Sequence, residues 1–497
     1  MDISGSIDSI SESGGTFGVA ETPTVDTAVD KIENHLDETG LFNDVTHNEL
    51  QEINNTLKQL SSEQTNAVVS QLSDVSLEKW ADEITSNGWL GTGGLSANER
   101  SELFSDLAAK LEPEQMARIH NASSDPDFRA ELLKTTSRHW NTDGIAAAAE
   151  NRLATLPAGS SRTELQTALA ESRQLQDHTL MAVLAQDVYF SYAKSVTAPL
   201  AGNHLPPGVT LTRMSPGALQ AELNIKQEQL VDDQSGFYAA VYKVEQQGSV
   251  NYIVAFRGTE DGTDWQTNAA SLVTLTRQEE LAGKLVETVV EADKGTVTVT
   301  GHSLGGGLAN FAGLLHGVPS VTFNAKGITR PEMAAITQKP VGETLVQRAQ
   351  RLVTNYQVNS EVLTGLQKHA PLIGGVAGTF FGGPLLGGIV AVQTDKVVRE
   401  APGVAIEIPA IRPDGKEGNM LLETAAKIAT LSSPVAHAVL GEVDISGPVD
   451  RHGMDYVLEG MEHLSDAANQ QLLEYLFHSY TSGQPLQNGY GLNWIAP

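Results

Sequence analysis

The chain has no cysteine in 497 residues, which removes disulfides, thiolate nucleophiles and sulfur-ligated metal sites from consideration. Such a chain also suits a protein that crosses between redox compartments. Basic residues are scarce: 32 Lys and Arg stand against 61 Asp and Glu, a formal net charge of −29. This argues against nucleic-acid binding, because phosphate contacts need lysine and arginine to release counterions. A bare anionic membrane would also repel the chain. The imbalance is concentrated in residues 1–150, which hold 27 acidic and 9 basic residues and leave 34 and 23 downstream. No cleavable secretory signal is visible and none is expected, since MDISGSIDSISESGGTFGVAETPT has neither a basic n-region nor an apolar h-region. Export would need a dedicated route.

The length calls for two or three parts, each with its own core. Residues 1–24 are rich in Ser, Gly and Thr and are expected to lack packed structure. Residues 25–175 read as an all-α accessory domain, with Leu57 and Leu60, or Leu103, Leu107 and Leu111, at three- and four-residue spacing. THNE (46–49) and SANE (96–99) both fit a capping box, and each leads through an amphipathic run to Glu-Gln (63–64 and 114–115). The offset of about 50 residues predicts a diverged pair of helical hairpins.

From 176 to 497 the texture changes. The β-branched or aromatic runs 236–244, 251–259, 296–300, 320–325 and 353–358 are bounded by turn residues, and helical patterns separate several of them. Alternation of this kind predicts an α/β domain with a largely parallel sheet.

Within it, VTVTGHSLGGGLAN (297–310) sets a G-x-S-x-G between a strand and a small-residue helix, the setting that a nucleophile elbow requires. A side chain at Gly301 or Gly305 would clash with the adjoining strand and helix, and the helix N-terminus aims its amides at a developing oxyanion. Ser303 is therefore the candidate nucleophile. Serine needs a histidine base held by a carboxylate, in the chain order Ser, Asp or Glu, His. His452, at a loop-to-helix junction in PVDRHGMDYV, fits the base. Glu361, just past the strand 353–358, is the favoured acid, with Asp395 and Asp450 as competitors. The oxyanion donors are Leu304, which follows the nucleophile, and Thr259 in the turn AFRGTED.

The ordered set FRGTE, TDWQTN (263–268), GHSLGGGLA (301–309), VTFNA (321–325), VNSEVL (358–363) and HGMDYV (452–457) resembles the lipase class 3 family of α/β-hydrolases over about 180–460. The resemblance implies an α/β-hydrolase domain with Ser303 as nucleophile, His452 as base, Thr259 and Leu304 as oxyanion donors, and no cofactor or metal. One departure is the acid: the family usually has Asp where this chain offers Glu361. The layout further resembles bacterial lipase effectors exported by contact-dependent secretion systems. It leaves the helical part three roles: export signal, dock for a secretion component, or site for a cognate inhibitor (immunity) protein.

Between His369 and Asp395 lie 25 residues without a charge, including seven glycines and two prolines. That makes a poor continuous span. Residues 370–394 are instead expected to form an apolar hairpin that lines the acyl-chain pocket and touches a lipid surface transiently. The function expected is a serine ester hydrolase of lipids, a phospholipase A or acylglycerol lipase, exported as an effector. The rivals are a catalytically inactive hydrolase-fold binding protein and a lipid acyltransferase that uses the same acyl-enzyme.

Overall fold

The computed structural model describes residues 23–37, 45–86, 94–190, 205, 208–246, 248–258, 277–338, 342–358, 402–411 and 453–481. The segment before residue 23 and the apolar stretch 370–394 lie outside the described residues. Two compact units are present, residues 1–165 with 473–487 and residues 166–472 with 488–497.

The first unit is helical: α1 (Val25–Leu36), α2 (His47–Gln59), α3 (Ser62–Gln71), α4 (Asp74–Thr85), α5 (Ala97–Lys110), α6 (Pro113–Ala122) and α7 (Pro126–Thr155). Both predicted capping boxes form. The Thr46 amide donates to Glu49 Oε2 at 2.7 Å and the Ser96 amide to Glu99 Oε2 at 2.8 Å, while each cap hydroxyl accepts from the N3 amide. Each cap contributes about 1 kcal/mol. The internal repeat is larger than a pair of hairpins. Helices start at residues 47, 62 and 74 and again at 97, 113 and 126, so each copy carries a third helix. That helix lacks the box signature: Ser73 caps α4 through the Ser76 amide alone, and Asp125 caps α7 through the Asp127 amide. α7 kinks at Asn141 (φ 52), whose Oδ1 accepts from the Gly144 amide at 3.0 Å and caps the second segment. Trp80, Phe104 and Phe128 are buried in the core, the latter two edge to face at 5.3 Å. His120 is buried beside the Phe477 ring at 5.4 Å, its Nδ1 2.9 Å from Asn121 Oδ1. Burial holds its pKa down to about 4.

The second unit is an α/β domain. α8 (Ser160–Asp187) leads into it, and β1 (Val209–Arg213), α9 (Pro216–Leu223), β2 (Val231–Asp232), β3 (Phe237–Gln246) and β4 (Ser249–Phe256) follow. Next come α10 (Arg277–Glu291), β5 (Thr296–His302), α11 (Leu304–His316), β6 (Ser320–Phe323), α12 (Arg330–Thr337), α13 (Leu345–Leu352), β7 (Val353–Val358), β8 (Val404–Ile408) and α14 (Met454–His478). The sheet order is β1-β3-β4-β5-β6-β7-β8, with β2 paired to β3. β4 through β8 are parallel and β1, β2 and β3 form an antiparallel edge. The expected α/β domain with a mostly parallel sheet, preceded by an all-α region, is therefore what the chain builds. β1 and β8, which the sequence reading did not single out, complete its two edges.

Alternate residues of each strand point to opposite faces. Ala239, Val241, Val254, Phe256 and Val299 pack against Leu281, Leu285 and Val289 of α10 and Leu308 and Ala312 of α11. Tyr242, Ile253, Ala255, Phe323, Tyr356 and Val358 meet Leu180, Leu184 and Val188 of the α8 end and Val457 and Met461 of α14. Each such side chain contributes about 1.5–3 kcal/mol when fully buried. The pairing Phe256↔Gly301, His302↔Phe323 and Phe323↔Tyr356 sets the carboxyl ends of β4, β5, β6 and β7 side by side. Parallel α/β sheets place their reactive groups at this edge.

The neutral His120 predicts acid sensitivity. The unfolded chain protonates this histidine near its ordinary value of 6.5, whereas the folded chain does so only at about 4. The unfolded state therefore gains protons first, and stability is full above 6.5 and falls as pH drops toward 4. His120→Leu should flatten that decline by on the order of 2 kcal/mol, read from urea midpoints at pH 7.5 and 4.5.

Candidate active site

Ser303 stands between the end of β5 and the start of α11 with φ 58 and ψ −122. An L-residue in such a conformation costs about 1–3 kcal/mol and persists only where its surroundings over-determine it. Here they do. The Ser303 amide donates to Phe323 O of β6 at 3.1 Å, and Ser303 O accepts from Gly307 N at 3.1 Å and Lys326 N at 2.9 Å. Both flanking glycines are required by close approach. A Cβ at Gly301 would lie 2.5 Å from the Gly305 carbonyl carbon, and one at Gly305 would overlap Phe256 O and lie 2.8 Å from Arg257 C. The strand-to-helix bend is thus so tight that β4, β5 and α11 meet backbone to backbone.

α11 has 13 residues and begins at Leu304, so its dipole and first-turn amides are directed at the bend. The first helical hydrogen bond, Gly307 N to Ser303 O, starts after the Leu304 amide. A buried polar network fixes the helix laterally. Asn310 Nδ2 donates to Asn355 Oδ1 of β7 at 3.0 Å, and Asn310 Oδ1 accepts from Ser320 Oγ of β6 at 2.8 Å. Asn355 Oδ1 also accepts from Thr322 Oγ1, and Asn355 Nδ2 donates to Pro402 O.

Two further residues of the VTFNAK segment support the bend. Asn324 (φ 45) donates its amide to Tyr356 O at 2.8 Å and accepts from Val358 N at 2.9 Å, which fixes the end of β7. Lys326, whose amide holds Ser303 O, sends its ammonium to Glu279 of α10 at 3.1 Å and Glu332 of α12 at 3.5 Å. Both glutamates are buried. One cation faces two carboxylates, and burial prevails over the Lys326 charge at Glu332, whose pKa rises to about 6. Burial works against the Lys326 charge too, but Glu332 and Glu279 outweigh it and its pKa rises.

Of the predicted site residues, Gly301, Ser303, Leu304 and Gly305 come together at this bend. Thr259, Glu361 and His452, with the alternative acids Asp395 and Asp450, lie outside the described residues. Their described neighbours are Gly258, whose added Cβ would lie 3.4 Å from Ser303 Cβ, Val358 at the end of β7, and Met454 at the start of α14. Sequence reading missed Lys326, Asn310, Asn324 and His302, whose Nδ1 lies 3.0 Å from the Tyr189 hydroxyl. None of these pairings has a local spacing signature, because each joins elements far apart in the chain.

Residues 180–414 match the family model described as Phospholipase-like, a Tle-like phospholipase domain. This span contains Ser303 and Glu361 and stops short of His452. The chain is also similar to the extracellular phospholipase A1 of Serratia liquefaciens, 29% identical over 194 residues, which is 39% of this chain and 55% of that protein. The chain thus spans about half the length of that relative. The resemblance read from the sequence, to secreted bacterial lipases and phospholipases, is borne out by both similarities. Among the described residues, no helix is long and apolar enough to cross a membrane.

The backbone contacts predict that Gly305→Ala lowers stability by about 2 kcal/mol or more, because the new methyl meets main chain that cannot move aside. Gly217→Ala in α9, where a Cβ meets nothing within 4 Å, should instead be neutral or stabilise by up to about 1 kcal/mol. Denaturation midpoints of the two variants check both.

Proposed function

We propose that this chain is a serine ester hydrolase acting on lipids, a phospholipase A or an acylglycerol lipase. The observation that carries the reading is a buried serine in a left-handed bend between strand and helix, inside a span that matches a phospholipase-like domain. In this reading Ser303 Oγ attacks the ester carbonyl while His452 accepts its proton, and Glu361 holds the imidazole. The tetrahedral oxyanion is stabilised by the amides of Leu304 and Thr259. Its collapse expels the alcohol, which takes the proton from His452, and leaves an acyl group on Ser303. Water, deprotonated by His452, then releases the fatty acid and restores the serine.

The lipid is the substrate and no nucleic acid is engaged. The uncharged composition of residues 370–394 suits them to receive an acyl chain and to make transient contact with a lipid surface. The extracellular relative supports export, and we place this chain among effectors that leave by a dedicated secretion system. The helical first unit then serves as export signal, dock for a secretion component, or site for an immunity protein.

Mass spectrometry of phospholipid and acylglycerol vesicles after incubation with the full chain tests the chemistry. Wild type should release free fatty acid, and Ser303→Ala should fall by about 10⁴-fold or more with an unchanged melting curve. Full activity in that variant would end the proposal. Replacing Glu361, Asp395 and Asp450 singly by alanine should single out Glu361 with a loss of about 10³-fold or more in kcat; wild-type turnover there would move the acid elsewhere.

A further inference from the structure

We propose that Tyr189 is a positioning residue for the serine elbow, acting through His302. The inference rests on Ser303 as nucleophile and concerns the groups that hold its backbone.

Tyr189 lies in the turn that ends α8, and its hydroxyl is 3.0 Å from His302 Nδ1. His302 is the residue before Ser303 and is itself buried. The same hydroxyl reaches the end of β4. A Cβ built on Gly258 would overlap it, while lying 2.7 Å from His302 O and 3.4 Å from Ser303 Cβ. Four groups therefore converge on one point: the Tyr189 hydroxyl, the Gly258 backbone, His302 and Ser303. Glycine fits at 258 because the Tyr189 hydroxyl and the His302 carbonyl together occupy the space that a side chain would take.

The turn that presents Tyr189 is clamped from behind. Arg213, buried on β1, donates to Asp187 Oδ2 at 2.9 Å, Asp187 O at 3.1 Å, Phe190 O at 3.0 Å and the Tyr238 hydroxyl at 3.1 Å. Tyr242 on β3 donates its hydroxyl to the same Asp187 oxygen at 2.5 Å. A buried ion pair is a weak source of net stability, because desolvation offsets much of its attraction. What this one achieves is geometric: its donors grip the chain on both sides of residue 189, at Asp187 and Phe190. A hydroxyl placed with this rigidity at a strained nucleophile fits the need of acyl transfer for sub-ångström placement, where a misplacement of about 1 Å costs about 100-fold.

Tyr189→Phe keeps the ring and removes the hydroxyl. With a long-chain p-nitrophenyl ester as probe, kcat of the full chain should fall about tenfold or more with KM within twofold of wild type. Labelling by a serine-reactive fluorophosphonate should slow in step, and the melting temperature should stay within 2 °C or so. His302→Asn should show a similar loss, and the double variant should lose no more than the worse single one, since both act through one contact. Wild-type kcat in Tyr189→Phe, losses that multiply in the double variant, or a loss matched by a fall in melting temperature would each overturn the assignment. Ser303→Ala serves as the separate control. If it is inactive while Tyr189→Phe turns over normally, this inference alone fails; if it is fully active, the reading of Ser303 as nucleophile fails.

Discussion

A serine backbone at φ 58 and ψ −122 is a conformation that an isolated chain would leave at once, and three main-chain hydrogen bonds hold it there. Phe323 O takes the amide, and the Gly307 and Lys326 amides take the carbonyl. The acceptor for the amide lies on β6 and one of the donors just beyond it, so the elbow exists only if β6 pairs in register with β5. The glycines at 301 and 305 follow from the same bend, which brings main chain into contact where any side chain would intrude. Sheet register, helix start and the Ser303 conformation are thus one constraint seen from three sides.

The groups packed around the elbow explain why the domain accepts buried polarity that a simple core would exclude. Asn310 and Asn355 join α11 to β6 and β7 through a set of mutually satisfied hydrogen bonds. Lys326 and its two glutamates join the loop after β6 to α10 and α12. The Asp187–Arg213 pair joins the end of α8 to β1. Hydrophobic burial alone is non-directional and would permit these elements to slide. Polar partners with fixed geometry prevent it, because any shift leaves a buried donor or acceptor unmet at about 1–3 kcal/mol each.

The two units present different physics. The helical one is a repeat of three-helix copies, stabilised by caps and by side chains such as Trp80 and Phe104. It carries the larger share of the chain's net negative charge, with 27 acidic residues against 9 basic ones in the first 150. Such a charge favours solubility. The α/β unit carries the serine bend at the carboxyl end of β5, and the span 180–414 is the part matched by a phospholipase-like domain.

The β-branched or aromatic runs at 236–244, 296–300 and 353–358 were legible as strands, and the cap at 46–49 as a helix start, because those signals depend on neighbours within a few residues. The strand, bend and helix around Ser303 were legible for the same reason, since glycine at two residues on either side is a local steric requirement. The strands 209–213 and 404–408 were not singled out, although VTLTR and VAIEI alternate more exposed and more buried residues as edge strands do. Nor were the third helices of the two copies, whose caps lack the glutamate that marks α2 and α5. The Tyr189–His302 contact joins residues 113 apart, and Asn310–Asn355 joins residues 45 apart; no spacing rule connects them. The sequence by itself determined the helices and strands that carry strong local signals and the place of the glycine-flanked bend at Ser303. Tertiary structure alone decided which distant polar groups hold that bend, because such pairings arise only when sheet register and helix packing bring the elements together.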